Sequence, residues 1–345
     1  MEQSLELLAM GAWISRALAV AAHFAIADTL ADGPATEPEL AKATGMHEDA
    51  VLPLMKALTM VGVFARDEDG SFTNSSLSER LKTDHPESVR HLCMLLGGLY
   101  FQACGGLLEA VKTGKPALPF VFGVSLYEHL ERDPADAEIF DRAMQERAGP
   151  VAATLAENYP FENARTVIDV GGGNGELLKG ILSAHHQLNG ICVDRAVTCE
   201  RAEAELRGSG NEDLIKRLSY QPADISRECP SGGDIYILKN VLHDWSSATA
   251  VRILSSIRDA MRAGPAARNA DSQLPMLLVV DALIEHDVAA PLRPLIKLVF
   301  GEENTRERGE SDIRREAAEA GLQVLSITPL PPENSVVACA LAPTA

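Results

Sequence analysis

Short apolar runs alternate with longer, helix-like segments from about residue 160 to the end of the chain. The runs read TVIDV, GICVD, LSYQPADI, DIYILKN, MLLVVDALI, LQVLSIT and SVVACAL. Runs of this length, rich in Val, Ile and Leu and separated by helical segments, are typical of buried strands in a mostly parallel sheet. The pattern predicts an α/β fold with a doubly wound sheet, in which the two closing runs form an antiparallel edge.

A different pattern fills residues 1–105, where helical segments are separated by polar residues. Two helices divided at Gly45 precede the stretch VFARDEDGSFTNS, in which an Asp-Gly turn separates two short strands. This order of elements is the outline of a winged helix. The second helix, from Glu48 to Met60, carries one basic residue, Lys56, whereas a helix that reads DNA presents several. We therefore interpret the outline as a packing or dimerisation module.

Residues 1–30 are apolar enough to raise the question of a membrane helix. The stretch begins with an acidic rather than a basic segment, and Arg16, His23 and Asp28 interrupt it before a run of about 18 apolar residues is reached. We expect no membrane span. The stretch instead predicts an amphipathic or nearly fully buried helix that packs against a partner chain, and therefore a homodimer formed through the N-terminal domain.

The charge balance and the cysteines exclude other classes of protein. The chain has 31 Lys and Arg against 49 Asp and Glu, for a formal net charge of -18, whereas a nucleic-acid surface needs basic side chains that neutralise phosphates. The six cysteines form no C-x-x-C pair, which favours a reducing cytoplasm and no zinc site. No carboxylate-rich oxygen site can be assembled from the sequence, so no metal is predicted.

The stretch VIDVGGGNGELL, residues 167–178, has the pattern of a ligand-binding loop between a strand and a helix. Its glycines at 171, 173 and 175 fit G-x-G-x-G, which suits a tight turn and a close backbone approach to a ligand. Glu176 would place a carboxylate in the first helical turn, where the pyrophosphate of a dinucleotide would be repelled. The loop therefore disfavours NAD.

Carboxylates follow the first three predicted strands in register. Asp169 lies at the end of the first predicted strand. Asp194 is the last residue of the second predicted strand and lies 21 positions after Gly173, and Asp224 follows the third predicted strand. An acid at the tip of the second strand can accept both hydroxyls of a ribose, and Asp224 is suitably placed for an adenine amino group. Together they predict an adenosyl ligand at the carboxyl ends of the strands.

These stretches, followed by DIYILKNVLHDWSSATAVRIL and LLVVD in this order, resemble the S-adenosylmethionine-dependent O-methyltransferases of the small-molecule type. That family contains plant caffeate and flavonoid enzymes and bacterial polyketide and antibiotic-tailoring enzymes. The resemblance covers nearly the full chain and implies a Rossmann-like class I methyltransferase sheet behind a winged-helix dimerisation domain. It divides the chain into a dimerisation domain (1–105), connecting helices that line the acceptor pocket (106–150) and a cofactor-binding catalytic domain (151–345).

The resemblance also implies a cofactor, S-adenosyl-L-methionine, and the residues that bind it. They lie at the ends of the predicted strands and are Asp169, Gly171, Gly173, Asp194, Asp224, Ile225 and Lys239. The glycines would approach the methionine part of the cofactor, Asp194 the ribose, Asp224 with Ile225 the adenine, and Lys239 the amino-acid end.

The stretch LKNVLHDWSS places His243 just beyond the fourth predicted strand, on the ligand side of the sheet. O-methylation requires a group that removes a phenolic proton, and histidine side chains titrate near neutral pH. The resemblance implies that His243 is this base and that Asp281 and Glu307 flank it. The alternative is a structural histidine near a helix start, with Asp244 as the N-cap.

Two departures from the family pattern lie near this predicted base. Asp281 stands where a glutamate is usual, so we expect its bond to His243 to need a water or a shifted backbone. Asn304 and Thr305 replace a usual Gly-Gly pair before Glu307, and the aspartate that usually begins the preceding helix is missing. These changes concern the acceptor site more than the cofactor site.

The sequence and its resemblance to this family thus predict a cytoplasmic, homodimeric O-methyltransferase that acts on a hydroxyl of an aromatic or quinone-like small molecule, in secondary metabolism such as antibiotic biosynthesis. The first alternative keeps the cofactor but uses it for non-methylating chemistry: hydroxylation, decarboxylation or a pericyclic reaction. A second alternative is a non-catalytic winged-helix regulator, which the acidic charge disfavours. The acceptor itself, including an N- or S-acceptor, stays open.

Overall fold

The computed structural model describes residues 4–159, 161–264, 275–285, 292–301, 305, 307–330 and 334–343. The chain forms two compact units. The first comprises Met1–Glu109 and Ala117–Arg147, and the second comprises Ala110–Pro116 and Ala148–Ala345.

The first unit is mainly helical. Its elements, including two helices that continue into the second unit, are α1 (Leu5–His23), α2 (Ile26–Thr29), α3 (Glu37–Thr44), α4 (Glu48–Met60), β1 (Phe64–Arg66), β2 (Phe72–Asn74), α5 (Arg90–Gly97), α6 (Leu99–Ala103), α7 (Leu107–Thr113), α8 (Leu118–Phe122), α9 (Leu126–Arg132) and α10 (Pro134–Asn158).

The predicted helix-turn-helix and hairpin are present in this unit. A capping box between Thr36 and Glu39 starts α3, and Gly45, with φ +78°, ends it. β1 and β2 pair antiparallel around the predicted turn. The inner faces of these elements bury Leu40, Met55 and Phe64, among others, in one apolar cluster.

The first helix is divided along its length. Near its C-terminus Ala21 and Ala22 are buried, whereas Leu5, Leu8 and Trp13 near its N-terminus are exposed. The inner part packs on α5 at Gly97, where an added Cβ would lie 2.6 Å from the Ala19 Cβ. The sequence prediction of an amphipathic or nearly buried helix therefore holds for the second half of α1, while the first half presents apolar side chains to solvent.

One helical stretch, Arg90–Thr113, is long and apolar enough to cross a membrane, judged by length and composition, and 33% of its apolar window is buried. Core helices of water-soluble proteins pass the same test, so this pattern is weak evidence. The prediction that the chain has no membrane span stays a prediction.

The second unit is an α/β sandwich around a seven-stranded sheet. Its elements are β3 (Thr166–Val170), α11 (Glu176–Ala184), β4 (Asn189–Asp194), α12 (Ala196–Gly208), α13 (Glu212–Arg217), β5 (Leu218–Pro222), β6 (Ile235–Lys239), α14 (Ser247–Ala263), β7 (Met276–Asp281), α15 (Arg293–Phe300), α16 (Glu310–Glu319), β8 (Leu322–Leu330) and β9 (Asn334–Leu341).

The strand order confirms the predicted fold class. The sheet runs β5-β4-β3-β6-β7-β9-β8, with β5 to β7 parallel and β9 antiparallel to both of its neighbours. The order reverses between β3 and β6, and in such sheets a crevice opens at the carboxyl ends of the strands beside this point. The loops after β3, β4, β5, β6 and β7 therefore reach one edge of the sheet.

Two apolar layers cover the faces of this sheet. Successive residues of β3 point to opposite layers: Val167 packs in one apolar cluster and Ile168 in the other. Leu177 and Ile181 of α11 pack in the first cluster, and Ile253 and Ile257 of α14 pack in the second. Burial on both faces fixes the strands and therefore the positions of the polar residues that follow them.

Candidate active site

The glycine loop joins β3 to α11 as the sequence predicts. Gly171 has φ +75°, and an added Cβ would lie 2.8 Å from the Val241 side chain. Gly173 has φ +60°, and no atom of the described residues lies within 4 Å of its Cβ position. The loop is therefore packed on its inner side and open at Gly173, which is the arrangement that a ligand contacting the backbone requires.

The carboxylate of Asp194 lies against this loop. Its Oδ2 accepts a hydrogen bond from the Gly173 N–H at 2.9 Å, and its Oδ1 accepts one from the Arg195 N–H at 2.7 Å. The end of β4 thus brings a carboxylate to the open glycine of the neighbouring strand, as its position in the sequence predicts.

The third acidic position faces outward. Asp224, just beyond β5, is exposed and accepts hydrogen bonds from the N–H and Oγ of Ser226 at 3.1 and 2.7 Å. The Ser226 hydroxyl bond in particular holds the pKa of Asp224 below its usual value. The next residue, Ile225, turns inward, with its Cδ1 3.7 Å from the Cβ position of Gly171.

Asp169 lies beneath the loop. It is 1% exposed, its Oδ2 lies 2.6 Å from the Cβ position of Gly172, and its Oδ1 has no hydrogen-bond partner within the described part of the chain. Burial raises the pKa of Asp169 to about 7; Asp194 adds to this, and the cation of Lys239, at the end of β6, opposes it. The loop thus covers a buried carboxyl group, one oxygen of which has no donor among the described residues.

His243 lies on a 3-10 turn, Leu242–Asp244, that follows β6. Its Nδ1 is 2.6 Å from Asp281 Oδ1 at the end of β7, and the same oxygen accepts the Ala282 N–H at 2.9 Å. Of the two expected ways to make up the shorter reach of Asp281, a bridging water is not needed, because the turn after β6 brings the imidazole into direct contact with the neighbouring strand. The neutral ring can donate from Nδ1 to Asp281 and keep a lone pair on Nε2.

Asp281 is 4% exposed. Burial opposes its ionisation, but contact with His243 and the nearby charge of Lys297 more than compensate and hold its pKa below the usual value. Asp281 is therefore an ionised group that fixes one nitrogen of His243.

Glu307 lies in the same charged neighbourhood. Burial raises its pKa, while Lys297, His243 and Arg293 act in the opposite direction. Its Oε1 has no hydrogen-bond partner among the residues that the structure describes. Glu307 thus interacts with His243 electrostatically. Asn304, part of the departure noted above, lies outside the described residues.

Sequence reasoning missed three residues around His243. Asp244 Oδ1 lies 3.5 Å from His243 Nε2 and also accepts a hydrogen bond from Lys297 Nζ. Asp244 is not the helix N-cap that the alternative interpretation required, because Ser246 caps α14. Arg308 donates to the carbonyls of Leu242 and Trp245 on either side of the turn. A signal for Lys297 was available, since it is the one charged residue in the run PLIKLVF.

A group of potential metal ligands occurs in the first unit. The ligand atoms of His129, Asp133 and Asp136 lie within 4.8 Å of one another. The fold already accounts for their contacts: His129 pairs with Asp136 at 2.8 Å, and Asp133 accepts the N–H groups of Ala135 and Asp136 at the start of α10.

Comparison with known proteins identifies both parts of the chain. Residues 105–323 match the model of the O-methyltransferase domain, and residues 6–84 match that of the O-methyltransferase dimerisation domain. The mitomycin biosynthesis 6-O-methyltransferase of Streptomyces lavendulae is 33% identical over 325 residues, which cover 94% of this chain and 89% of the relative. The 8-amino-8-demethylriboflavin N,N-dimethyltransferase of Streptomyces davaonensis is 32% identical over 320 residues, which cover 90% of this chain and 87% of the relative.

Solved structures agree. The mitomycin 7-O-methyltransferase MmcR superposes with a TM-score of 0.83 at 32% identity and covers 98% of this chain and 97% of its own. The structure of NcsB1 from neocarzinostatin biosynthesis, in complex with S-adenosylmethionine and 2-hydroxy-5-methyl naphthoic acid, superposes with a TM-score of 0.76 at 30% identity. The match covers 95% of each chain. The chain belongs to the O-methyltransferase family, with an O-methyltransferase domain preceded by the dimerisation domain of that family.

Proposed function

We propose that the protein transfers a methyl group from S-adenosyl-L-methionine to a hydroxyl of an aromatic or quinone-like small molecule, in the biosynthesis of a secondary metabolite such as an antibiotic. The observation that carries the proposal is the 2.6 Å contact of His243 Nδ1 with Asp281 Oδ1, which fixes the imidazole. In the tautomer that donates from Nδ1, Nε2 is the proton acceptor. Relatives that act on aromatic hydroxyls support this acceptor class, including the 3-amino-4-hydroxybenzoate 4-O-methyltransferase of Streptomyces cremeus.

The residues at the carboxyl edge of the sheet fit the cofactor. The open backbone at Gly173 and the carboxylate of Asp194 beside it suit a polar ligand lying on the loop. Asp169 Oδ1, which is buried and has no partner among the described residues, suits a cationic or donor group, as an amino-acid ammonium would supply. Gly171, Asp224, Ile225 and Lys239 complete the proposed set. When bound, the cofactor supplies a methyl group on a positively charged sulfur.

In the proposed mechanism His243 removes the proton from the acceptor hydroxyl at Nε2. Asp281 keeps Nδ1 protonated and stabilises the imidazolium that forms, because its carboxylate is ionised and bonded directly to the ring. Glu307 adds a further nearby carboxyl group whose interaction with the imidazolium is electrostatic. The reaction needs no metal in this scheme.

The finer assignments are also proposals. We infer that two copies associate through the dimerisation domain, where α1 exposes apolar side chains. We propose a dimerisation domain of residues 1–105, connecting helices of residues 106–150 that line the acceptor pocket, and a catalytic domain of residues 151–345. The enzyme is proposed to act in the cytoplasm.

A transfer assay tests the function directly. The full-length protein is incubated with methyl-labelled S-adenosylmethionine and a panel of phenols, hydroxyquinones and aromatic amines, and labelled product is followed by mass spectrometry. His243→Ala is expected to bind the cofactor normally by calorimetry and to lose transfer by about 10²–10⁴-fold. His186→Ala, which removes a histidine with an 80% exposed side chain, is the matched control and is expected to retain the rate.

Each other outcome has a definite meaning. Label on amines alone would move the acceptor class to nitrogen. Consumption of acceptors without label transfer would favour non-methylating chemistry, and transfer that survives His243→Ala would remove the histidine base from the mechanism.

A further inference from the structure

A lysine lies inside the acidic cluster around His243. α15 directs Lys297 toward the turn that carries His243, and its side chain is 11% exposed. The ammonium group donates a hydrogen bond to Asp244 Oδ1, and the same oxygen lies 3.5 Å from His243 Nε2. One carboxylate oxygen is therefore shared between a cation and the nitrogen proposed as the base.

The Asp244 carboxylate influences the two forms of the imidazole in opposite ways. When Nδ1–H is donated to Asp281, the neutral ring presents its lone pair at Nε2, and a carboxylate beside a lone pair is repelled. After Nε2 gains a proton, the same contact is a charge-assisted attraction. An uncompensated Asp244 would therefore favour the protonated ring, which cannot accept a proton from an acceptor hydroxyl.

Other charged groups face His243 from the surrounding elements. Asp281 reaches the ring from β7 and Glu307 from the segment before α16, and both carboxyl groups favour the protonated imidazole. Arg293, one helical turn before Lys297 on α15, acts on Glu307. Lys297 interacts with Asp244 by a hydrogen bond and with Asp281 and Glu307 through its charge. It is a cation coupled to all three carboxyl groups around the ring.

We propose that Lys297 is a positioning residue, which binds the Asp244 carboxylate and thereby limits the attraction of that carboxylate for a proton on Nε2, so that this nitrogen can accept the proton of the acceptor hydroxyl. The inference rests on the proposed function, since it concerns the same histidine. Lys297 acts through Asp244, and its role in this proposal requires no contact with the acceptor.

An NMR titration of the full chain tests the inference without knowledge of the acceptor. The Cε1 positions of the histidines are labelled with ¹³C, and the His243 signal is assigned by its loss in His243→Gln. Lys297→Met, which removes the charge from a side chain of similar length, is expected to raise the His243 titration midpoint by about one pH unit. Asp244→Asn is expected to lower it.

Three further variants make the result specific. Lys297→Arg keeps the charge and is expected to keep the midpoint close to that of the wild type. Lys297→Met in the Asp244→Asn background is expected to shift the midpoint clearly less than in the wild-type background. Lys216→Met, at an exposed lysine on α13, is the matched control and is expected to leave the midpoint unchanged.

Methyl-transfer kinetics give a second readout. The acid limb of kcat/KM in Lys297→Met is expected to move to higher pH, with a loss of roughly tenfold on that limb and little loss above it. An unchanged midpoint, a shift of equal size with and without Asp244, or a uniform loss at every pH overturns the inference. Absence of methyl transfer by the wild type would overturn the proposed function instead, and the NMR result would stand independently.

Discussion

At the scale of the residue, Asp169 shows how the fold changes the chemistry of a side chain. The run TVIDV forms a strand whose last four residues are all buried, so an acid in this run is removed from water. Burial raises the pKa of Asp169 to about 7. The chain retains a carboxyl group that would otherwise favour solvent, at the position where the cofactor loop begins.

This burial predicts a pH dependence of stability. A carboxyl group whose pKa is raised in the folded state contributes its full stabilisation at pH values below its pKa in the unfolded chain. This contribution is lost as the pH rises through its pKa in the folded state. For Asp169 this pH window runs from 3.8 to about 7. The stabilisation lost across it is up to about 4 kcal/mol. The free energy of unfolding of the cofactor-free protein is therefore expected to fall across this window.

Asp169→Asn isolates this contribution, because the amide does not titrate. Urea unfolding at a series of pH values is expected to show a clearly flatter pH dependence in this variant than in the wild type. Asp49→Asn, at an aspartate with a 94% exposed side chain, is the control and is expected to follow the wild type. Equal slopes in Asp169→Asn and the wild type would contradict the assigned role of burial.

Residue-level predictability was uneven around the site. His243 was predicted from its position just beyond a strand together with the family resemblance, and Asp281 from the resemblance alone; the sheet places their strands, β6 and β7, side by side. Lys297 and Asp244 were not, because their pairing joins residues 53 positions apart and depends on how α15 packs. Periodicity predicts which element a residue belongs to, but it does not predict which charged side chains meet across two elements.

At the scale of the element, Arg308 joins α16 to the turn that carries His243. Its side chain is 2% exposed, and its Nε donates to Glu316 Oε2 at 2.7 Å. Its terminal nitrogens donate to the carbonyls of Leu242 and Trp245. Because Glu316 belongs to α16, one guanidinium fixes a short 3-10 turn to a regular helix.

Removal of this guanidinium is expected to affect stability and rate separately. Arg308→Met removes the 2.7 Å partner of the fully buried Glu316 and leaves it only the longer 4.0 Å contact with Arg315, so it is expected to destabilise the protein by about 3–5 kcal/mol in urea unfolding. Combining it with Glu316→Leu removes the buried charge and is expected to restore much of the stability. The rate of methyl transfer is expected to stay low in the double variant, since the turn still lacks its two carbonyl contacts. Full recovery of both quantities would contradict a positioning role for Arg308.

The central strands β3, β6 and β7 were predictable because both of their faces are buried, whereas the edge strands β5 and β8 are largely exposed. The seven apolar runs of the sequence coincide with β3 to β9, including the antiparallel pair β8 and β9. The individual helices within residues 106–150 were not predicted from the sequence. α8 and α9 are five and seven residues long, and a helix of one or two turns is too short for a 3.6-residue period to be recognised.

At the scale of the whole molecule, the first turns of α1 present an unusual surface. Leu5, Leu8 and Trp13 are 82%, 63% and 71% exposed, and these residues lie at or next to the start of the segment that matches the dimerisation domain. Large exposed apolar side chains grouped on one helix favour an interaction site in a protein that otherwise carries a formal net charge of -18. A second copy of the chain is the partner that the family membership favours.

A charged residue within this surface tests the assembly. Tryptophan is enriched among the residues that dominate interface energies, and Trp13→Glu would bury an unpaired carboxylate in the dimer. The variant is expected to weaken dimerisation by at least about 100-fold, or about 3 kcal/mol, and to sediment as a monomer at concentrations where the wild type sediments as a dimer. Leu325→Glu, at a 55% exposed leucine of β8, adds the same charge elsewhere and is expected to leave the dimer intact. A monomeric wild type, or a Trp13→Glu protein that stays dimeric, would contradict the assignment of this surface, and equal dissociation in both variants would attribute the effect to net charge instead.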